Sequence, residues 1–274
     1  MSTTDLTAGG PGRPGPFGAA RFVPRPGGAP LHRMVLAQAR MEARLMLRNG
    51  EQLLLAVVIP VIVLVGGVLG SEHVTLSLDH PAIDVFAPGV LALAVMSTAF
   101  TSLAIATGFE RRYGVIKRLG SSPLPRSGLL AGKVGALLLV EAMQVLVICT
   151  IASLFDWDPA ASLGAVVGSL LAVVAGTAAF AALGLLVAGT LRAEATLAAA
   201  NLIYLLLLAG GAVVLPISAY GAFGDVVHWL PSGALGDAMR VALIDGRTAW
   251  SDLAVLLAWA VLGAGLTART FKWE

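Results

Sequence analysis

The chain has 274 residues, 57% of them hydrophobic and only 12% charged, with a formal charge of +2. A soluble domain of this length carries about 25% charged residues, whereas apolar runs of about 20 residues recur here, each long enough to cross roughly 30 Å of hydrocarbon. The pattern excludes an ordinary soluble domain; the runs do not alternate, which excludes a transmembrane β-barrel; and the single cysteine, Cys149, excludes an intrachain disulfide.

Residues 1–30 contain six Pro and seven Gly and no apolar run, the composition of a disordered tail. They lack the continuous apolar core of a secretion signal. Leu31 to Asn49 then predicts an amphipathic helix. Arg33, Arg40, Arg44 and Arg48 share one face at about 100° per residue. Leu31, Met34, Met41 and Leu45 share the neighbouring face, which Gln38 and Glu42 interrupt. A basic helix of this kind, placed just before a first span, suits the membrane interface with its arginines toward anionic headgroups.

Six spans are expected at 52–70, 85–108, 131–155, 163–190, 196–215 and 250–270. Pro60 lies within the first, where it can kink the helix. The fourth carries Gly164, Gly168, Ala172, Gly176 and Gly184, a small-residue ridge that lets another backbone come close. With the amino terminus inside, all of the 18 Lys and Arg except Arg240 and Arg247 fall on the cytoplasmic side. The outer segments hold Glu72, Asp79, Asp84, Asp156, Asp158, Asp225, Asp237, Asp245 and Asp252. The positive-inside bias therefore places both termini in the cytoplasm, and Trp157, Trp229 and Trp250 near the outer interface.

The stretch 108–133 breaks the apolar pattern. Arg111, Arg112, Lys117, Arg118, Arg126 and Lys133 stand there against one anion, Glu110. Such a loop fixes topology; it can also form a short helix pressed against a cytoplasmic partner. Residues 216–249, with Pro216, Trp229, Pro231 and Arg240, are too apolar for a solvated loop. Short helices that dip into the outer leaflet or cap the bundle are expected, because irregular backbone at that depth must be buried in protein or line a cavity.

No catalytic constellation is present. His32, His73, His80 and His228 have no metal-ligand spacing; His73, Asp79 and His80 read as a solvated outer loop before they read as a metal site. A phosphate-binding P-loop needs Gly-x4-Gly-Lys-Ser/Thr; the nearest match, Gly128 to Lys133, has three residues between its glycines and Val134 after the lysine. Glu141 is the one carboxylate deep within a span, with Gln144 on the same face and Asn201 in span five as a candidate interhelical partner. It is either structural polar glue or a group that handles substrate. Ser97, Thr98, Thr101 and Ser102 supply hydroxyls in span two that line a pathway only if their face is not lipid-facing.

Three features together resemble the integral-membrane permease subunits of ABC-2-type ABC transporters, including bacterial drug-efflux and polysaccharide-export permeases. They are six spans behind an amphipathic helix, the opening loop with Glu110, Arg111, Gly114, Leu119, Ser122, Pro123, Leu124, Gly132 and Lys133, and the outer segment with Trp229, Leu230, Pro231, Leu235 and Arg240. The resemblance covers residues 31–270 and leaves the tail outside. It implies an all-α membrane domain over 31–274, with a coupling helix near residues 111–122 between helices 2 and 3. The coupling residues would be Glu110, Arg111, Arg112, Gly114, Val115, Lys117, Arg118 and Leu119. Spans two and five would face the transport route. The implied partners are a separate ATPase subunit holding Mg-ATP, a second permease chain and membrane lipid, with no nucleic acid. This chain would bind no cofactor and catalyse nothing. It would sit in a bacterial plasma membrane and move a hydrophobic or amphipathic molecule outward, such as a drug, lipid or glycan, which connects it to drug resistance.

Two other readings remain: a proton-coupled secondary transporter using Glu141, or a non-transporting assembly factor or sensor. Secondary transporters often show inverted repeats with paired broken helices, and the two halves of this sequence show no convincing repeat.

Overall fold

The computed structural model describes residues 29–48, 50–71, 73, 80–120 and 124–270. Among them every regular element is helical. The expected tail lies outside the described residues apart from Ala29 and Pro30, as do Asp79, Ser122 and Pro123.

The order begins with α1 (Leu31–Arg48) and α2 (Gly50–Ser71). Next comes one continuous helix, Ala82–Arg112, made of α3 (Ala82–Met96), a π-helical turn (Ser97–Ser102) and α4 (Leu103–Arg112). A short α5 (Val115–Gly120) leads into α6 (Arg126–Ser153), α7 (Leu163–Thr190) and α8 (Ala193–Gly210). A 3-10 turn (Ile217–Phe223), α9 (Gly224–His228), α10 (Pro231–Leu243) and α11 (Trp250–Thr270) complete the fold. Among the described residues five helices are long and apolar enough to cross a membrane: α3–α4, α6, α7, α8 and α11. The first expected span corresponds to α2, whose described apolar part, Ala56–Ser71, is shorter. That helix runs unbroken through Pro60.

Local chemistry sets several boundaries. Pro81 precedes α3, Pro125 precedes α6, and Pro231 opens α10, positions where a missing N–H costs no helical bond. Ser162 caps α7, its hydroxyl accepting from the Ala165 N–H at 3.0 Å and donating to the Gly246 carbonyl at 2.8 Å.

The α3–α4 helix is the centre. Every α3 residue from Val85 to Met96 is buried, under α2, α6, α7 and α10. The small-residue ridge of α7 lets its neighbours close in. A Cβ on Gly168 would stand 3.0 Å from the Arg247 carbonyl, and one on Gly176 would stand 2.7 Å from Leu235 Cδ1. One on Gly184 would stand 2.8 Å from the Phe100 carbonyl of the π-helical turn. The ridge is thus an internal seam, receiving α10 and the widened turn of the central helix.

Span five is shorter than its hydropathy suggests. The helix stops at Gly210, and Gly211–Val214 continue as buried, non-helical chain, with Ala212 at φ 51°. The carbonyls of Ala212, Val213 and Val214 are answered by Arg240 of α10, which is 6% exposed. Its guanidinium donates to Val214 at 2.8 Å, Val213 at 3.0 Å and the Asp237 carboxylate at 3.1 Å. The segment expected as short helices over 216–249 does form three short helical pieces. Val227, Leu235 and Met239 turn inward, while Phe223, Val226 and Trp229 stay exposed.

Replacing Arg240 by Met leaves these buried carbonyls and Asp237 without their donor. Removing one member of a buried charged network costs about 3 kcal/mol or more, which in a chain of this size lowers the melting temperature by roughly 6–12 °C. Thermal unfolding of the detergent-solubilised Arg240→Met variant measures this, and an unchanged midpoint would refute the clamp.

Candidate functional site

The expected loop at 108–133 is mostly helix. The central helix carries Glu110, Arg111 and Arg112 in its last turn. Tyr113 and Gly114 then end it, with Tyr113 N–H bonded to Phe109 O at 2.9 Å and Gly114 N–H to Arg111 O at 3.1 Å. Gly114 takes φ 67°, the left-handed conformation that terminates helices and that glycine adopts without a Cβ clash. Beyond this hinge, α5 presents Lys117 and Arg118 outward and turns Ile116 inward. From Arg126 onward the chain is already in α6. Of the expected coupling residues, Glu110, Arg111 and Arg112 therefore belong to the spanning helix, Gly114 is the hinge, and Val115, Lys117, Arg118 and Leu119 form the short helix.

The stem above the hinge is tied on three sides. Arg111 donates to the carbonyls of Ala188 and Leu191, the latter at 3.2 Å, at the end of α7. It supplies a cation where the last carbonyls lack intrahelical donors and the dipole is negative. Arg112 pairs with Glu194 in the first turn of α8. Both side chains are at least half exposed, so that pair contributes little to stability.

Glu110 faces the third side. Lys133 of α6 lies 2.7 Å from Glu110 and 3.1 Å from Glu42 of α1, its side chain 11% exposed. Gln38 donates to the same Glu42 oxygen at 2.8 Å. Gln38 and Glu42 do not interrupt the apolar face of α1; with Ala39 and Ala43 they form its buried seam against α6. Gly132 makes that seam possible, since a Cβ there would stand 2.6 Å from Gln38 Cγ. Arg33, Arg40, Arg44 and Arg48 are exposed, as the helical spacing predicts, and so are Leu31, Met41 and Leu45. Sequence reasoning missed the triad. Its one signal was an i, i+4 polar pair interleaved with alanines.

Within the spans, two polar contacts join helices. Thr98 donates to Gln144 Oε1 at 2.9 Å, and Gln144 Nε2 donates to the Ala56 carbonyl at 2.8 Å, linking the π-helical turn, α6 and α2. Thr177 of α7 donates to Glu141 Oε2 at 2.7 Å, while Glu141 Oε1 is buried with no hydrogen-bond partner among the described residues. Asn201 is exposed on α8 and does not complete this contact; Thr177 does, a residue the sequence reading passed over. Ser97 and Thr101 are half-buried on the π-helical turn, apart from the Glu141 contact.

At the opposite end, His228, Asp237 and Asp252 bring ligand atoms within 4.8 Å of one another. His228 Nδ1 stands 3.8 Å from Asp252, Asp237 is already bonded to Arg240, and Asp252 Oδ1 is buried without a hydrogen-bond partner among the described residues.

Lys133→Met leaves Glu42 and Glu110 facing each other without their cation. Breaking such a buried pair costs about 3–5 kcal/mol, and adding Glu42→Gln and Glu110→Gln to that variant should recover most of the loss. Thermal unfolding of the variants in detergent measures both steps; a single variant as stable as the parent would dismiss the triad.

Residues 53–269 match the family model described as ABC-2 family transporter protein. No curated protein matches the chain significantly.

Proposed function

The chain belongs to the ABC-2 transporter family, and from that premise we propose that it is the permease subunit of an ATP-driven exporter, with ATP hydrolysed by a separate subunit. In this reading α2 is the first of six spans, and the end carrying α5 faces the cytoplasm together with both termini, as the positive-inside bias requires. Two permease chains, identical or not, enclose the route. The cargo is a hydrophobic or amphipathic molecule, of the drug, lipid or glycan type, leaving across a bacterial plasma membrane. Nucleotide stays on the partner, since this chain has no P-loop sequence.

One observation carries the reading: a short basic helix stands beyond a glycine hinge, on a stem bound into four other helices. Arg111 holds the stem to α7, Arg112 to α8, and Glu110 through Lys133 to α6 and α1. Force applied to α5 by a moving partner thus reaches α1 and α6 through the largely buried Lys133 pairs, α7 through Arg111, and α8 through an exposed ion pair. Lys117 is exposed at the tip and is available to an acidic groove on an ATPase. Arg111, by contrast, caps α7, so its removal damages the fold before it reports on a partner.

Co-reconstitution with the associated ATPase and an assay of vanadate-sensitive hydrolysis test the proposal. Lys117→Glu should weaken ATPase association about tenfold, equivalent to about 1.4 kcal/mol, while membrane insertion and melting temperature stay at the parent's values. Unchanged association and transport would remove α5 from the mechanism. If no ATPase associates and Glu141→Gln abolishes a proton-driven activity, the permease reading yields to a secondary transporter.

A further inference from the structure

A cavity of about 560 Å³ lies directly behind α5. Ile116 and Leu119 of α5, Leu129 of α6 and Ala181 of α7 give it apolar walls, and Thr107 and Lys133 add polar groups. Leu130, Ala178 and Ala264 also line it and are exposed on the sides of α6, α7 and α11. An occupant can therefore enter sideways from the surrounding hydrocarbon. The volume falls in the usual range for small-molecule sites, which combine mostly apolar walls with a few placed polar groups.

The polar groups specify the head of that occupant. Thr107 is 2% exposed, and its hydroxyl has no hydrogen-bond partner among the described residues. Such a buried group costs about 1–3 kcal/mol when left unpaired. Lys133 donates to Glu110 at 2.7 Å and forms an ion pair with Glu42 at 3.1 Å, which leaves at least one of its three N–H donors over. The cavity therefore offers hydrogen-bond donors and calls for an acceptor. A cationic head would meet the Lys133 ammonium. An anionic head would compete for that ammonium with Glu110 and Glu42, which lie outside the lining but hold it at 2.7 and 3.1 Å and already outnumber it. An uncharged acceptor meets neither penalty.

We propose that this cavity binds an uncharged amphiphile from the adjacent leaflet: an apolar chain ending in an ester, amide or hydroxyl head that bonds Thr107 and Lys133. Binding does not depend on the exporter reading. Its consequence does: because Ile116 and Leu119 form part of the wall, an occupant braces α5 against α6 and α7, and so changes how the coupling helix responds to an ATPase.

The test uses the full chain in phosphatidylcholine nanodiscs with a photoactivatable monoacylglycerol, the labelled peptides being mapped by mass spectrometry. Labelling should saturate, concentrate in residues 103–119 and 129–134, and compete with unlabelled monoacylglycerol. Ala178→Phe and Ala264→Phe, both at exposed positions that tolerate a larger side chain, should each reduce it roughly fivefold. Thr107→Val, which keeps the shape and removes the hydroxyl, should weaken it roughly threefold or more. Label spread evenly over the lipid-facing sides of all spans, and unmoved by the filling variants, would overturn the site in favour of annular lipid. Stronger labelling by a photoactivatable fatty acid would overturn the uncharged head. In the ATPase complex, monoacylglycerol should alter hydrolysis by the parent and not by Ala178→Phe. Saturable labelling with unaltered hydrolysis would overturn the consequence for α5 and leave the site standing.

Discussion

The basic end of this molecule depends on one ammonium group. Lys133 stands between Glu110 and Glu42 with its side chain 11% exposed, and so ties α6 to the end of the central helix and to α1. Two carboxylates at such short range repel unless a cation lies between them, and a partly desolvated cation is costly unless carboxylates surround it. Neither half is tolerable alone, so the three helices meet in one arrangement. Gln38 adds a hydrogen bond to Glu42, and Gly132 allows the approach that brings the charges together. The triad matters less as net stabilisation than as a lock on geometry.

The other end obeys a different constraint. Away from water, each backbone carbonyl needs a donor from within the protein, and the chain leaves the helical state at Gly211. Arg240 answers the freed carbonyls of Val213 and Val214, and Asp237 balances the guanidinium. A lysine could not fork across adjacent carbonyls and a carboxylate in this way, whereas the planar guanidinium can. Between the two ends runs α7. Its small-residue face receives α10 at Gly176 and the π-helical turn further along at Gly184, and Arg111 holds its far end. The two charged anchors are joined by one close-packed helix.

Much of this was legible in the sequence, for reasons particular residues make plain. The fourth and last expected spans coincide with α7 and α11 to the residue, because Ser162 and the Arg192 region bound one and the apolar run from Trp250 bounds the other. Span five was drawn too long because Val213 and Val214 are as hydrophobic as helix residues. Hydropathy registers burial and cannot register that a distant arginine will take over their hydrogen bonding. Similarly, Gln38 and Glu42 looked like defects in an apolar stripe. The stripe rule assumes a lipid-like neighbour, and here the neighbour carries Lys133. The basic stretch at 108–133 was read as a loop from its charge, yet most of it is helix: Arg111 and Arg112 suit a helix carboxyl end, and Pro125 leads directly into the next helix. Asn201 failed as a partner for Glu141 because only the angular phase of α8 decides which side it faces, and that phase is set by packing at Gly108 and Thr196.

The distribution of these anchors also decides where the proposed lever can bend. Movement within the last turn of α4 would have to separate Lys133 from its carboxylates or Arg111 from the end of α7. Each charge-assisted contact of that kind is worth more than about 1.5 kcal/mol, and they would break together. The Tyr113–Gly114 junction is held more lightly, by backbone hydrogen bonds and by the Tyr113 ring against Phe109 and the Arg112 guanidinium: Gly114 already sits at φ 67°, and a Cβ there would meet nothing within 4 Å. Rotation of α5 about this glycine is therefore the soft motion, and translation of the whole stem is the stiff one. Small displacements of a docked partner would be absorbed at the hinge. Only a sustained displacement that exhausts the hinge would be transmitted to α1, α6, α7 and α8 as a unit. A device built this way ignores jitter at its tip and responds to a committed stroke, which is the behaviour that the proposed drive by a separate ATPase would require.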